Sequence, residues 1–265
     1  MKARDLAETI ARRRADGRAA FIPFITAGDP GLKATGRFVR ALAGAGADII
    51  ELGVPFSDPV ADGPTIQAAS QRALASGTTL GGVLALVKDL RAGGLETPII
   101  LFSYLNPVLR MGLERFAAAA GRSGVSAVLL VDLPAESAAP WSRALARRGV
   151  ETVLLASPTT SRERLRRIGK ASGSVVYYVS REGVTGARAG LPPGLRGRLD
   201  EVRALTGKPL IVGFGISTPE AARSLGRCAD GVVVGSAMVA QVAGRGPALA
   251  EKALVRFTRK IVASL

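Results

Sequence analysis

The sequence predicts a (β/α)₈ TIM barrel, an α/β fold in which eight parallel strands alternate with helices. Two observations carry this prediction: eight short apolar runs recur along the chain, and amphipathic stretches separate them. Runs that are apolar throughout are typical of strands buried on both faces of a parallel sheet. A doubly wound sheet is the alternative, but no GxGxxG motif follows the first run, and eight units fill a closed barrel. Because no linker divides the chain, we expect residues 1–265 to form one domain.

The apolar runs supply the predicted strands. Most are rich in Val, Ile and Leu, which fit the packed surface of a sheet. In chain order the strands cover residues 20–26, 48–52, 98–102, 125–131, 150–156, 174–180, 209–215 and 230–236.

Helices are predicted between the strands from their start and stop signals. Residues 217–220, Ser-Thr-Pro-Glu, place a capping side chain before a proline and an acid in the first turn. Gly46, Gly149 and Gly207 follow helical stretches, as expected where a helix ends in the left-handed conformation.

Two further helices are additional to the repeating unit. The first, at about residues 3–16, precedes the first strand and should cover the bottom of the barrel. The second, at residues 64–75, lies between the second strand and its crossover helix at 80–92. The sequence therefore predicts a barrel with an extra N-terminal helix and an extra helix after strand 2.

Composition excludes several classes of site. The chain has no histidine, which excludes Ser-His-Asp hydrolysis, Cys-His proteolysis and histidine-ligated zinc. A single cysteine, Cys228, excludes an internal disulfide and suits a reducing compartment. No apolar run reaches the ~18 residues of a membrane span, and the charged start lacks a signal-peptide core. We therefore expect a cytoplasmic protein that does not cross a membrane.

The formal charge of +15 raises the alternative of a nucleic-acid-binding protein. The arginines, however, are scattered through predicted helices, and aromatic residues for base stacking make up only 5% of the chain. This pattern favours solvated helix faces, with long-range attraction of an anionic substrate as a secondary effect. We expect no nucleic-acid partner.

Two carboxylates mark the end of the second strand, where a barrel of this type carries its active site. Glu51 interrupts an apolar strand, so burial should raise its pKa into the range that suits a general acid. Asp62 follows in a loop bounded by glycine and proline, where it should stay ionised and accept a hydrogen bond from a substrate. Carboxylates in unlike environments can divide acid and base roles. The alternative is that Asp58 and Asp62 only stabilise turns.

Glycine-rich segments follow three strands late in the chain and predict a phosphate site. They are residues 180–186, 213–217 and 235–236. Glycines let backbone N–H groups approach an anion, and barrels often bind phosphate with the loops after strands 7 and 8. One such segment would be weak evidence, because turns need glycine anyway, but three on adjacent strands support an anion site.

Other chemistries at such a site are less well supported. A Schiff-base aldolase needs a lysine at the barrel mouth, and none of the seven lysines ends a strand. Magnesium could use oxygen ligands from Glu51, Asp58, Asp62 and Asp132, but no tight carboxylate cluster demands it. We therefore expect acid–base catalysis on a phosphorylated small molecule, without metal or cofactor. Apolar residues near strand ends suit an aromatic substrate and suit barrel core equally well: Phe24, Phe102, Leu129 and Phe214.

The chain closely resembles the tryptophan synthase α subunit family along almost its whole length. The resemblance rests on segments that stand in the family's order, of which the second is highly specific: FIPFITAGDP, IELGVPFSDPVADGPTIQ, SREGVTGA, GFGIS and DGVVVGSA. It implies cleavage of indole-3-glycerol phosphate to indole and glyceraldehyde 3-phosphate by a retro-aldol reaction. It also implies a partner, the β subunit, which receives the indole within an α2β2 tetramer.

The resemblance assigns roles to residues that match the family's motifs. Glu51 matches the acid–base glutamate, Asp62 the catalytic aspartate that holds the indole N–H, and Tyr177 a tyrosine near the substrate. The resemblance also implies that Thr185 falls in a loop that closes over the site and that it positions the aspartate. The phosphate cradle is matched by Gly186, Gly215, Gly235 and Ser236, the indole pocket by Phe24 and Phe214, and the contacts with the β subunit by Asp58, Pro59 and Asn106.

Two other functions stay open at this stage. One is a stand-alone phosphate-binding barrel lyase without a partner. The other is a catalytically silent subunit that only activates the β chain, against which the presence of both Glu51 and Asp62 argues.

Overall fold

The computed structural model describes residues 5–179, 193–213 and 215–265 and confirms the predicted barrel. Each strand pairs in parallel with the next, and the eighth pairs with the first, which closes the sheet. The strands are β1 (Ala20–Thr26), β2 (Ile50–Gly53), β3 (Ile99–Ser103), β4 (Ala127–Leu130), β5 (Glu151–Ala156), β6 (Val176–Val179), β7 (Leu210–Gly213) and β8 (Gly231–Val234).

Helices surround the barrel. Those of the described part of the chain are α1 (Leu6–Ala15), α2 (Leu32–Gly44), α3 (Pro64–Ala75), α4 (Leu80–Ala92), α5 (Leu105–Met111), α6 (Leu113–Ser123), α7 (Ala138–Ala146), α8 (Arg162–Ala171), α9 (Leu195–Thr206), α10 (Pro219–Gly226), α11 (Ser236–Val242) and α12 (Pro247–Val262). A 3₁₀ turn, Ala135–Ser137, precedes α7. The two extra helices lie where the sequence predicts them, as α1 and α3.

The core has two layers, which follow from the alternation of side chains along each strand. Outward-facing residues pack against the helices; on α2, for example, Phe38, Val39 and Leu42 are fully buried against this layer. Inward-facing residues fill the barrel, and two residues of α1, Leu6 and Ile10, belong to this inner cluster. Helix α1 therefore closes the bottom of the barrel, as its position in the sequence predicts.

Ion pairs stabilise the end of the barrel that α1 closes. Arg18 contacts the buried carboxylate of Asp48 at 2.8 Å, and Arg14 on α1 contacts that of Asp230 at 3.1 Å. Asp48 also accepts a hydrogen bond from the backbone N–H of Phe21. Since buried carboxylates need partners, the contact of Arg14 with Asp230 holds α1 beneath the strands.

Within the described residues, no single helix is long and apolar enough to cross a membrane. Helices α3 and α4 meet such a test only when taken together, and they are bent by 91°. In the structure both bury one face in the barrel, including Ala69 and Ala73 of α3 and Val83 and Val87 of α4.

Candidate active site

A cavity of about 570 Å³ opens at the carboxyl ends of the strands, where the sequence places the site. Strands, the loop after β2, and the helices α3, α11 and α12 all contribute to its wall. The described lining residues are Phe24, Glu51, Ala61, Asp62, Pro64, Thr65, Ile66, Phe102, Val131, Leu155, Tyr177, Val179, Gly215, Ile216, Ser217, Val233, Gly235, Ser236, Ala237, Ala240, Gln241 and Phe257. The wall is mostly apolar and includes two carboxylates.

Glu51 projects into this cavity from β2. Its neighbours in the sheet, Phe24 on β1 and Ile100 on β3, share its inward orientation. The side chain is only 2% exposed, and its Oε1 has no hydrogen-bond partner within the described structure. Burial, and then the nearby charge of Asp62, raise the pKa of Glu51 to about 8. Glu51 is thus mainly protonated near neutral pH and can give up a proton.

Asp62 lies in the loop between β2 and α3 and is 6% exposed. The hydroxyl of Tyr104 donates a hydrogen bond to its Oδ2 at 3.1 Å, and the Gln67 amide donates to its backbone carbonyl at 2.8 Å. Burial raises the pKa of Asp62 to about 6, while the Tyr104 hydrogen bond works in the opposite direction. The sequence predicts an ordinary loop carboxylate; the structure instead buries it, yet leaves it mainly ionised at pH 7.

Tyr177 on β6 adds a third ionisable side chain to the described wall. It is buried, and burial followed by the charges of Glu51 and Asp62 raises its pKa well above the usual value. Its hydroxyl therefore keeps its proton and can donate one hydrogen bond. Gly213 on β7 makes room for it, since a Cβ there would lie 2.2 Å from the Tyr177 hydroxyl.

Aromatic side chains form the apolar part of the wall. Phe24 and Phe102 meet edge to face, with ring centroids 5.3 Å apart, and Phe24 also packs with Ile66. Gly53 allows this arrangement, because a Cβ there would lie 2.5 Å from the Phe24 ring. A flat aromatic ligand fits such a wall. Leu129 does not line the cavity; it is fully buried lower in the barrel, within the inner cluster.

Glycines that follow the last two strands border the cavity from the other side. Gly215 has a left-handed backbone with φ of 80°, and Gly235 immediately precedes α11. Within the described residues, no side chain caps the start of α11, and Gly235 and Ser236 both line the cavity. No lysine or arginine occurs among the lining residues that the structure describes. Thr185, Gly186 and Phe214, together with the glycine-rich segment 180–186, lie outside the described residues.

Three residues predicted to contact a partner do not line the cavity; they lie in the segments that follow the carboxyl ends of β2 and β3, which together are called the rim. Asp58 and Asn106 are exposed and Pro59 is half-buried. Two exposed apolar residues accompany them: Val60 is 80% and Leu109 is 55% exposed.

Sequence reasoning missed the residues that hold the loop of Asp62. Tyr104 follows β3 directly and is buried, and Gln67 lies in the first turns of α3. A tyrosine at the carboxyl end of a barrel strand is the signal that could have found the first of them. Within the described residues, no group of three or more acidic or cysteine side chains is placed to hold a metal ion.

Comparison with known proteins assigns the chain to a family. The family model described as "Tryptophan synthase alpha chain" matches residues 10–263. A tryptophan synthase alpha chain of Geobacter sulfurreducens is 50% identical over 234 residues, which cover 88% of each chain. The solved tryptophan synthase subunit alpha of Legionella pneumophila is 36% identical with a TM-score of 0.88, and the match covers 99% of this chain and 98% of that one.

A third relative comes from a larger assembly. A chain of the tryptophan synthase a2b2 complex of Pyrococcus furiosus, solved to explain mutual activation, is 40% identical with a TM-score of 0.85. The match covers 92% of this chain and 98% of that one. The chain therefore belongs to the tryptophan synthase alpha chain family, a family of lyases.

Proposed function

We propose that this chain cleaves indole-3-glycerol phosphate to indole and glyceraldehyde 3-phosphate, with Glu51 and Asp62 in different protonation states. The observation that carries the proposal is the pair itself. Two carboxylates share one apolar cavity, and their pKa values are raised to about 8 and about 6. Near neutral pH this pair holds one proton on Glu51 and a negative charge on Asp62, which is the division of roles that an acid–base cleavage needs.

The reaction follows from this division. The Glu51 carboxyl protonates C3 of the indole, and positive charge develops on the ring nitrogen. The Asp62 carboxylate accepts a hydrogen bond from the ring N–H and stabilises that charge. Glu51, now a carboxylate, removes the proton from the hydroxyl on the adjacent carbon. A carbonyl forms there, the bond to indole C3 breaks, and the bonding electrons restore the indole ring. The proton lost by Glu51 is thus regained.

The apolar wall and the glycine border account for the two ends of the substrate. The faces of Phe24 and Phe102 suit the indole ring, and Tyr177 lies close enough to the carboxylates to help fix the reacting group. The uncapped start of α11 offers backbone N–H groups to the phosphate. Because no cationic side chain is found in the described lining, these dipoles would carry the phosphate interaction.

The direct test of this function is to mix the purified chain with indole-3-glycerol phosphate and measure indole. We expect indole and glyceraldehyde 3-phosphate in equal amounts without any added metal or cofactor. A chain that binds the substrate and releases no indole, with or without a β subunit, would instead be a catalytically silent subunit.

Gly235→Asp tests the phosphate assignment. At Gly235, φ is −100° and ψ is −89°, and the nearest atom to an added Cβ would be Ile66 Cδ1 at 3.8 Å, so a side chain has room there. The new carboxylate should repel the phosphate. A loss of about 1.4 kcal/mol or more of binding free energy would raise KM at least about tenfold. Gly235→Ala is the matched control and should retain near-normal KM. Equal impairment of dephosphorylated indole-glycerol would show that the phosphate does not bind here.

We also propose that the rim binds a tryptophan synthase β subunit. The relative from P. furiosus belongs to an a2b2 complex, and the rim of this chain combines exposed apolar and polar residues. Val60 and Leu109 supply the apolar part, beside Asp58, Pro59 and Asn106. Exposed apolar groups bordered by polar residues are typical of interaction sites.

We further expect a single domain over residues 1–265 that works in the cytoplasm, where its free Cys228 stays reduced.

Binding of a β subunit should activate this chain. Asp58 and Pro59 lie in the same loop as Asp62, so a partner that grips the outer residues affects the position of the inner one. Such coupling is typically ~1–3 kcal/mol, or about 5–150-fold, and linkage requires it to be reciprocal. A substrate analogue should therefore tighten subunit association by the same factor. Titrations of the β subunit with and without the analogue measure this factor directly, and equal dissociation constants would contradict the coupling.

A further inference from the structure

Tyr104 makes three contacts with the loop that carries Asp62. Its hydroxyl donates to Asp62 Oδ2 at 3.1 Å and accepts a hydrogen bond from the backbone N–H of Ala61 at 3.0 Å. Its ring lies against Phe56, with centroids 5.1 Å apart and planes inclined by 32°. Phe56 and Ala61 belong to the loop on either side of its exposed tip at Asp58. One side chain thus contacts both limbs of the loop and the carboxylate itself.

Tyr104 is well placed to hold that loop because it is anchored to the barrel. It is only 3% exposed and follows β3 directly, one residue before α5 begins. The carboxylate of Asp132, after β4, accepts a hydrogen bond from the backbone N–H of Leu105 at 2.7 Å, which anchors the start of α5. The position of the hydroxyl is therefore set by the barrel, whereas the position of Asp62 is set by a loop.

We propose that Tyr104 is a positioning residue for the lyase reaction, which holds the Asp62 carboxylate in its reactive orientation and ionised state. This inference rests on the proposed function, because it gives Asp62 its role at the indole ring. A hydroxyl that accepts one hydrogen bond from Ala61 has a single proton to donate, and that proton points to Asp62. The donor also stabilises the charged form of the carboxylate against the burial that opposes it.

Other ionisable groups near Asp62 do not replace this donor. Glu51 on β2 is held mainly protonated by burial and then by the charge of Asp62, and its Oε1 makes no hydrogen bond within the described structure. Tyr177 on β6 keeps its proton, but the only side-chain hydrogen bond to the Asp62 carboxylate within the described structure comes from Tyr104. Burial, and then the charge of Asp62, raise the pKa of Tyr104 well above its usual value, and the charge of Asp132 acts in the same direction, so Tyr104 keeps its proton over the working pH range.

The substitution Tyr104→Phe tests the proposal, because it removes the hydroxyl and keeps the ring against Phe56. We expect kcat to fall by about 10–100-fold, the loss typical of a hydrogen bond to a charged group, with little change in KM. The acid limb of the kcat profile should move to higher pH, because Asp62 loses the donor that favours its ionised form. The loss should therefore be larger at pH 6 than at pH 7.5.

Tyr178→Phe is the matched control. Tyr178 is a buried tyrosine of β6 that faces outward, into the layer beneath the helices, and its hydroxyl interacts with Arg198. Tyr178→Phe removes one tyrosine hydroxyl, as Tyr104→Phe does, but Tyr178 does not line the cavity. We expect this variant to keep the parent's kcat and pH profile.

A second readout is independent of turnover. In protein with ¹³C-labelled aspartate carboxyl groups, the Asp62 signal, assigned with Asp62→Asn, should titrate at higher pH in Tyr104→Phe than in the parent. An unchanged Asp62 titration, or a loss of kcat that is equal at all pH values, would overturn the positioning role and leave Tyr104 a packing residue. If the parent releases no indole, the proposed function fails, whereas the titration still decides whether Tyr104 controls Asp62.

Discussion

Glu51→Gln is expected to reduce indole release by about 10²–10⁴-fold, the usual loss when a positioned acid–base group is removed. Glutamine has nearly the same shape as the protonated carboxyl, so the cavity should keep its form and KM should change little. It carries no transferable proton for indole C3, however, and cannot accept one from the glycerol hydroxyl. Single-turnover and steady-state measurements of indole formation check this result, and near-normal turnover would remove Glu51 from the mechanism.

The same variant should become relatively more stable than the parent as pH rises. Burial raises the pKa of Glu51 from 4.5 to about 8, so the folded chain keeps a proton that the unfolded chain releases between these values. The stability of the parent therefore falls as pH rises through this range, and glutamine removes that dependence. Urea unfolding at several pH values should show a difference in unfolding free energy that grows from about pH 5 to 8. A constant difference would mean that Glu51 is not held protonated.

Asp62→Asn is expected to lower kcat by about 10²–10³-fold, comparable to the loss of one group that stabilises charge in a transition state. An asparagine side chain can still accept the Tyr104 hydrogen bond through its amide oxygen, so the loop should keep its position. The neutral amide cannot stabilise positive charge on the indole ring. Turnover and substrate affinity of the variant, measured together, separate the loss of charge from any loss of binding.

The double variant Glu51→Gln/Asp62→Asn provides the control for shared chemistry. If both carboxylates act on one transition state, removal of the second should cost much less once the first is gone. The loss in the double variant should approach that of the more damaging single variant. Losses that simply multiply would show that the two side chains contribute independently.

The barrel could be predicted from the sequence because its strands are buried on both faces and read as uninterrupted apolar runs. Helices such as α3 and α4 were predicted with the bounds that the structure has, since proline and threonine mark their starts. Helix α5 was not predicted. It has only seven residues and includes Pro107, which leaves too short an apolar period to recognise.

The candidate site was only partly predictable, for reasons of distance along the chain. Glu51 stood out because a charge within an apolar strand has few explanations. The burial of Asp62 depends on Tyr104, which is 42 residues away, so the spacing within the loop could not reveal it. Leu129 has the inward orientation expected of a lining residue but lies too deep. The next inward residue on the same side, Val131, borders the cavity instead.

The pH dependence of kcat/KM for indole release tests the central claim most directly, namely that protonated Glu51 and ionised Asp62 act together. The pH dependence of this ratio reports the pKa values of the essential acid and base in the free enzyme. The substrate phosphate titrates near pH 6, as does Asp62, so the alkaline limb is the informative one. We predict that kcat/KM falls about tenfold per pH unit above about 8, as Glu51 loses its proton. A value of kcat/KM that stays constant from pH 7 to pH 10 would contradict the account.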